Sequence, residues 1–193
     1  RLESKTALVT GAAQGIGLGI ATAFVSQGAN VFGIDINGDT LEQSFGTLAR
    51  DAPKRVAYMT GDVTDEAVVE SACAAAVEQF GNLNVLVCNA ATLTPSCTVE
   101  ELSTKDWNAA LAVNLTSAFY TCKHGIGRLR NSGGGSIVIV ASQMGSVAWT
   151  GSAAYCATKG ALIQFAKALS LDHAKENIRA FSMQCAGKRC KNN

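Results

Sequence analysis

Three side chains in the second half of the sequence have types and spacing suited to acid–base chemistry. Tyr155 and Lys159 are four residues apart, and Ser142 lies thirteen residues before the tyrosine. A separation of four places the phenol and the ammonium one turn apart on the same face of a helix. A neighbouring cation stabilises the phenolate, so a group that normally titrates near pH ~10 could exchange protons nearer neutral pH. Because many ordinary helix-surface pairs share this spacing, the interpretation depends on the rest of the sequence.

A second candidate site lies near the start of the chain, in a glycine-rich turn. Gly11, Gly15 and Gly17 follow an apolar run, and Gln14 and Ile16 stand among them. Glycines let the backbone approach phosphate oxygens closely, and the N-terminus of a following helix carries partial positive charge. The spacing differs from the usual G-x-G-x-x-G dinucleotide fingerprint. The turn therefore predicts a phosphate site only in combination with other features.

An acidic residue supplies one such feature. Asp35 closes the next apolar run, eighteen residues after Gly17, and Ile36 follows it. At this point of a dinucleotide fold an acid can bind the adenosine ribose hydroxyls, and its charge repels the 2′-phosphate of NADP. With no lysine or arginine nearby, the sequence favours NAD as the cofactor. The alternative role for Asp35 is that of a turn residue capping the Asn37-Gly38 pair.

Further polar residues stand where the later apolar runs end. Asp62-Val63 follows the third run and Asn89-Ala90 the fourth, whereas Asn114 is polar within an apolar stretch of helix. Parallel sheets bind ligands at the carboxyl ends of their strands, so the two pairs are candidate cofactor contacts. Taken singly, each has an ordinary alternative. The pairs could be helix caps or turns, and Asn114 could face solvent or bond its own helix backbone.

Short apolar runs alternate with longer helical patterns along the whole chain. This predicts an α/β fold, a doubly wound parallel sheet in a Rossmann-like three-layer arrangement. No repeat or linker interrupts the pattern, so residues 1–193 are interpreted as one domain with a polar tail at 188–193. Ser103 and Asp106 are placed to form a capping box. The predicted strands are 7–9, 31–34, 56–59, 85–87, 137–140 and 178–183, and the predicted helices 16–27, 41–49, 66–80, 104–129 and 152–175.

The composition limits the kinds of partner. The 193 residues are 48% hydrophobic and 16% charged with a formal net charge of +1, so nothing indicates nucleic acid or an anionic membrane surface. No apolar run approaches the ~20 residues that span a bilayer. Seven cysteines show no C-x-x-C pair and no metal-ligand spacing, which predicts reduced thiols, no metal site and a cytoplasmic protein. Because the first residue is Arg1, an organellar matrix stays open as an alternative location.

With these motifs in this order, the chain resembles the short-chain dehydrogenase/reductase family, of the compact type with a single Rossmann-like domain. The likeness runs from Thr6 to Gly187. It implies an NAD-dependent oxidoreductase that transfers a hydride between a nicotinamide cofactor and a small-molecule secondary alcohol or ketone. The matching motifs are Thr10-Gly11 with Gly15-Ile16-Gly17, Asp62, Asn89-Ala90, Asn114, Ser142, and Tyr155 with Lys159.

The resemblance also implies a role for each catalytic residue. Tyr155 is expected to be the general acid–base, and Lys159 to lower the pKa of that tyrosine and hold the nicotinamide ribose. Ser142 is expected to bind the substrate oxygen, and Asn114 to position a water molecule in a proton relay behind Lys159. Asp62 is the expected adenine contact, and the strand end at Asn89 and Ala90 is expected to face the cofactor.

Two features depart from the family pattern. Ala186-Gly187 stands where relatives usually have Pro-Gly, and relatives continue for several dozen residues with a substrate lid and a seventh strand. We therefore expect a C-terminally truncated sheet of about six strands. The alternative to an enzyme is a catalytically weak or inactive nucleotide-binding or interaction protein. Helices with more than one apolar face favour a homodimer, or a homotetramer if the full-length chain is longer.

Overall fold

The computed structural model describes residues 1–185, and at its centre lies a six-stranded parallel sheet. The spatial strand order is β3-β2-β1-β4-β5-β6, and every neighbouring pair is parallel. This confirms the predicted doubly wound α/β fold. The strands are β1 (Thr6–Thr10), β2 (Asn30–Asp35), β3 (Val56–Thr60), β4 (Val85–Cys88), β5 (Gly135–Val140) and β6 (Ile178–Met183).

Helices cover both faces of the sheet. They are α1 (Gly15–Ser26), α2 (Gly38–Asp51), α3 (Glu66–Phe80), α4 (Thr104–Ala110), α5 (Ser117–Asn131) and α6 (Ala153–His173), with a π-helical segment at Leu111–Thr116 and short 3₁₀ turns at Gln143–Gly145 and Ala174–Glu176. Apolar residues of α1 and α2 pack on one face of the sheet, and those of α3, α5 and α6 pack on the other. Burial from both sides explains why the strands are continuous apolar runs rather than alternating ones.

Side chains mark the starts of three helices. Asn37, Asp65 and Ser103 each accept a hydrogen bond from a backbone N–H in the first turn of α2, α3 and α4, respectively. The predicted cap at Ser103 is therefore confirmed, although Asp106 accepts from the Ser103 hydroxyl (2.6 Å) rather than reaching back to its backbone. Because Asn37 caps α2, this helix begins three residues before the predicted start at 41.

The predicted helix 104–129 is interrupted. The π-helical segment separates α4 from α5, and Asn114 lies within that segment. A π segment contains one residue more than a regular turn, so it displaces the helix locally, and such segments are frequent at functional sites. Apolar periodicity alone gives no sign of this insertion.

All six strands end at the same edge of the sheet, because all are parallel. The strand order reverses between β1 and β4, which is where an open α/β sheet forms its ligand crevice. The structure thus brings together the polar residues that follow the strands.

Candidate active site

A cleft of about 560 Å³ opens at the carboxyl ends of β1 to β4. We call it the cofactor cleft. Nine of the thirteen residues predicted to bind a cofactor lie on its wall. The other four do not line it: Gly15, Gly17, Tyr155 and Lys159. Ala91, next to Ala90, also lines the cleft, and so do four residues that the sequence did not single out as cofactor contacts, Asn37, Gly61, Thr64 and Val113. The predicted residues on the wall are Gly11, Gln14, Ile16, Asp35, Ile36, Asp62, Val63, Asn89 and Ala90.

The glycines of the first turn serve different purposes. Gly11 has φ +63°, and a Cβ there would lie 2.9 Å from the Cα of Ala90. Gly17 packs against the turn so closely that a Cβ would collide with the carbonyl oxygen of Gly11. Gly15 has φ +57° and open space in front of it. The first two close the turn tightly, and the third leaves room for a ligand beside the helix.

The side chain of Asn89 holds this turn in place. Its Nδ2 donates to the carbonyl oxygens of Thr10 and Gly11, both at 2.9 Å. The hydroxyl of Thr10 in turn accepts from the backbone N–H groups of Asn89 and Ala90. The end of β4 is thus fastened to the glycine turn, and Asn89 shapes the cleft through its backbone partners.

Asp35 accepts two hydrogen bonds from backbone N–H groups at the cleft. One carboxylate oxygen accepts from the N–H of Ala13 and the other from the N–H of Asn37, each at 3.0 Å. The side chain therefore orders the turn into α2, and it also lines the cofactor cleft. Asp62 is similar, since its Oδ1 accepts from the N–H of Thr64 at 2.8 Å. Carboxylates fixed in this way face the cleft without rotating freely.

The chemistry of the cleft fits a dinucleotide. No side chain caps α1 at Gln14, so the first backbone N–H groups of this helix are available to an anion. The open space at Gly15 lies at that same helix end. Among residues 1–185, those that line the cleft include no lysine or arginine, so a phosphate would depend on backbone groups and the helix dipole.

The three residues with candidate acid–base roles meet beyond the end of β5. Ser142 is buried, and its Oγ accepts from the N–H of Met144 at 3.1 Å, which leaves its hydroxyl proton free to bond elsewhere. Tyr155 is half-buried near the start of α6. Lys159 is only 2% exposed, and its Nζ lies 5.6 Å from the centre of the Tyr155 ring.

The direction of the pKa shift at Tyr155 differs from the prediction. Burial raises the pKa of the Tyr155 hydroxyl, and a hydrogen bond with Ser142 opposes that rise. Burial lowers the pKa of Lys159 to about 8. The prediction that Lys159 lowers the pKa of Tyr155 is therefore wrong for the protein alone. The physical reason is that the ammonium donates to the carbonyl oxygen of Val140, at 2.7 Å, and lies over the ring.

Asn114 neither faces solvent nor bonds its own helix backbone, so both ordinary alternatives are wrong. It is 1% exposed, and its Oδ1 accepts from the N–H of Thr92 at 2.7 Å. Its Nδ2 donates to the carbonyl of Thr92 and to the hydroxyl of Thr158. Thr158 then donates to the backbone carbonyl of Tyr155 at 2.8 Å. Thr92 and Thr158 were not predicted from the sequence. Thr158 stands directly before Lys159, and this was the only signal that could have indicated it; Thr92 had none.

Comparison with known proteins decides the family. The family model described as "short chain dehydrogenase" matches residues 5–191, nearly the whole chain. The chain belongs to this family. The predicted resemblance is confirmed, and the protein is accordingly an oxidoreductase of the dehydrogenase type that acts on alcohols with a nicotinamide cofactor.

Several curated dehydrogenases are similar over most of the chain. D-threitol dehydrogenase of Mycolicibacterium smegmatis is 37% identical over 93% of this chain and 68% of its own length. 2-(R)-hydroxypropyl-CoM dehydrogenase of Xanthobacter autotrophicus is 36% identical, over 95% and 74%. D-beta-hydroxybutyrate dehydrogenase of Cupriavidus necator is 35% identical, over 96% and 71%. Their names give three different substrates, D-threitol, 2-(R)-hydroxypropyl-CoM and D-beta-hydroxybutyrate, so similarity does not select one.

Some predictions concern residues 186–193, which the structure does not describe. Ala186-Gly187 and the polar tail at 188–193 lie beyond the described residues. Within residues 1–185, no helix combines the length and apolar character needed to cross a membrane. In the same range, no three His, Cys, Asp or Glu side chains cluster as metal ligands would.

Proposed function

We propose that the protein is an NAD-dependent dehydrogenase or reductase of secondary alcohols and ketones, with Tyr155 as its general acid–base. The observation that carries this proposal is the meeting of Ser142, Tyr155 and Lys159 beyond the end of β5, at the same edge of the sheet as the cofactor cleft. Proton transfer and hydride transfer can then take place at one edge of the sheet.

A bound nicotinamide supplies the hydride donor or acceptor. In reduction, the protonated hydroxyl of Tyr155 gives its proton to the developing alkoxide, and in oxidation it receives the alcohol proton. The raised pKa of Tyr155 keeps the donor form populated in the free protein. When substrate is bound, the Ser142 hydroxyl donates to the substrate oxygen. The Lys159 ammonium donates one N–H to the carbonyl of Val140, and its other two can donate to cofactor hydroxyls.

The preference for NAD rests on Asp35. Its carboxylate is held at the cleft by two backbone N–H groups, which leaves lone pairs for ribose hydroxyls. A 2′-phosphate at that point would meet a fixed negative charge with no cationic side chain among the cleft residues of the described chain.

The acid–base role is tested with Tyr155→Phe. We expect alcohol oxidation to fall by about 10²- to 10⁴-fold, since this is the usual contribution of a general acid–base. NADH binding, followed by its fluorescence, should stay within a few-fold of wild type. Equal turnover in the variant would remove the assignment of Tyr155. Wild-type protein that binds NADH but oxidises no secondary alcohol would instead support a nucleotide-binding protein without activity.

The cofactor preference is tested with Asp35→Asn, which removes the charge and keeps one of the two oxygen acceptors for the turn. The ratio of kcat/KM for NAD over NADP should fall about tenfold or more. The double variant Asp35→Asn with Ile36→Arg should lower it further, because a guanidinium pairs well with a phosphate. An unchanged ratio in both variants would contradict the ribose role.

We also propose that two copies pair through the helices at α4 and α5. Trp107 and Phe119 are 36% and 45% exposed there, and pairing with a second copy would remove this apolar surface from water. Light scattering should show a dimer, and Phe119→Lys should shift it towards monomer. A wild-type protein that is monomeric at all concentrations would exclude this pairing.

A further inference from the structure

Ser142 and Tyr155 lie on one of three connected segments that share an unusual composition. Residues 89–99, 141–158 and 183–185 contain no aspartate, glutamate, lysine, arginine or histidine. The segments follow β4, β5 and β6, so all three begin at the same edge of the sheet. In a protein that is 16% charged, a site bordered by uncharged segments requires a functional explanation.

The three segments are connected to one another, and together we call them the rim. The N–H of Cys97 donates to the carbonyl of Gly151 at 3.3 Å. Gly151 has φ +66°, and a Cβ there would lie 2.5 Å from Oγ of Ser96, so the first two segments touch closely. The hydroxyl of Ser146 donates to Gln184 at 3.2 Å, which joins the second segment to the third.

The rim is also connected to the acid–base group. Thr92 exchanges two hydrogen bonds with Asn114, which is bonded through Thr158 to the backbone of Tyr155. The second segment contains Ser142 and Tyr155 themselves. The rim is therefore positioned relative to the reacting groups rather than being an unrelated surface loop.

Large apolar side chains of the rim are exposed to solvent. Leu93 is 78% exposed, Val147 60% and Trp149 62%. They lie on two segments that contact each other at Gly151, which precedes Tyr155 on the second segment. Exposed apolar groups gathered beside a polar reacting centre are typical of a ligand site, in which apolar walls bind and a few polar groups orient.

We propose that the rim binds the body of a neutral, largely apolar secondary alcohol, alicyclic or aryl, so that its carbinol carbon reaches Ser142 and Tyr155. This substrate class rests on the proposed function. An apolar ring gains by leaving water against Leu93, Val147 and Trp149. A carboxylate, sulfonate or phosphate would lose hydration at the rim, whose three segments carry no cationic side chain within the described residues, and this is unfavourable.

The first test compares a neutral alcohol with one that carries an added carboxylate group. Cyclohexanol and 4-hydroxycyclohexanecarboxylate share the ring and the carbinol, and we expect kcat/KM to favour cyclohexanol by about tenfold or more. A preference for the carboxylate would overturn the neutral-substrate inference and leave the proposed function standing.

The second test removes the apolar wall. Trp149→Ala and Leu93→Ser should each raise KM for cyclohexanol several-fold and leave NADH binding unchanged. The matched control is Leu171→Ser, because Leu171 is an equally exposed leucine (82%) near the far end of α6. An equal change in KM for Leu93→Ser and Leu171→Ser would contradict a binding role for the rim.

The third test measures binding without turnover. The chain has two tryptophans, so Trp107→Phe leaves Trp149 as the only emitter. Titrating cyclohexanone into this variant with NAD⁺ present should change Trp149 emission saturably. Saturable binding without oxidation of any alcohol would defeat the proposed function while supporting the rim. The absence of any saturable change would overturn the rim assignment, whatever the activity.

Discussion

The two sides of the site are built in different ways. On the cofactor side, side chains are anchored to backbone groups, as Asp35 is to Ala13 and Asn37, and Asn89 is to Gly11. On the substrate side, the rim presents apolar side chains to solvent, and its segments are joined by only a few hydrogen bonds.

This difference indicates which side of the site tolerates substitution and which does not. The shape of the cofactor cleft depends on backbone conformation and close packing, which tolerate little change. The exposed apolar side chains of the rim, Leu93, Val147 and Trp149, can be exchanged without disturbing the core. We expect substitutions on the cofactor side to affect folding and cofactor binding together, and substitutions of these three side chains to affect substrate choice alone.

The largest effect is expected for Gly17→Ala. A Cβ at Gly17 would collide with the carbonyl of Gly11 and lie 2.7 Å from Nδ2 of Asn89, and neither atom belongs to a flexible chain end. Overpacking of this kind costs about 1–3 kcal/mol and can exceed that where backbone must move. We expect a lower free energy of unfolding in urea and loss of NADH binding in the same variant.

The control is Gly19→Ala, two residues further along α1. Gly19 is exposed and nothing lies within 4 Å of its Cβ position, so the change should stabilise the helix by about 0.5–1 kcal/mol. If Gly17→Ala still binds NADH, the glycine turn can adjust to an added methyl group despite its close packing. The cofactor side would then tolerate substitution as the rim is expected to.

The next largest effect concerns Lys159, which lies between the two sides. Its pKa in the folded protein is about 8, below the ordinary 10.5, because burial disfavours the ammonium. As pH rises through this window the folded protein loses the proton while the unfolded chain keeps it, so the contribution of Lys159 to stability increases with pH. The full increase is about 3 kcal/mol.

The measurement compares wild type with Lys159→Met by urea unfolding at about pH 7 and about pH 10. The stability of wild type relative to the variant should increase between the two conditions. Burial also raises the pKa of Cys73, to about 12, and this thiol acts in the opposite direction, but it is present in both proteins and cancels. A constant difference would mean that the ammonium is not desolvated as its burial indicates.

A smaller effect is expected at Thr158, on the substrate side. Thr158→Val removes the acceptor for Asn114 and the donor to the Tyr155 carbonyl while nearly keeping the shape. A buried group left without its partner costs about 1–3 kcal/mol. We expect kcat to fall about tenfold as Tyr155 loses its positioning, with NADH binding unchanged.

Thr158→Ser keeps the hydroxyl and should restore most of kcat. A valine variant that loses stability but keeps the wild-type kcat and pH profile would reduce Thr158 to a structural residue. The three residues from Asn114 through Thr158 to Tyr155 would then not act as a unit.

The sequence predicted more of the cofactor side than of the substrate side, for a physical reason. Glycines at a turn and acids at strand ends, such as Gly11, Asp35 and Asp62, are local signals whose meaning follows from the strand next to them. The parallel sheet then brings them to one edge with no further information. The same reasoning correctly placed Ser142 beyond the end of β5.

The failures involve contacts between distant parts of the chain. The pairing of Asn114 with Thr92 depends on the π-helical segment, and apolar periodicity does not reveal an inserted residue. The predicted effect of Lys159 on Tyr155 assumed that two groups one turn apart interact directly. In the structure the carbonyl of Val140, on a different element, binds the ammonium instead.

The smallest effects are expected at two helix starts, one directly after the cleft residue Thr64 and one leading towards Asn114. Asp65 caps α3 through the N–H of Ala67, and Ser103 caps α4 through the N–H of Asp106. Asp65→Ala and Ser103→Ala should each cost about 1 kcal/mol in urea unfolding. Both should leave kcat unchanged, because three hydrogen bonds of its own fix Asn114. A lower kcat in Ser103→Ala alone would mean that the position of Asn114 depends on the start of α4. The three hydrogen bonds of Asn114 would then not be sufficient to fix it.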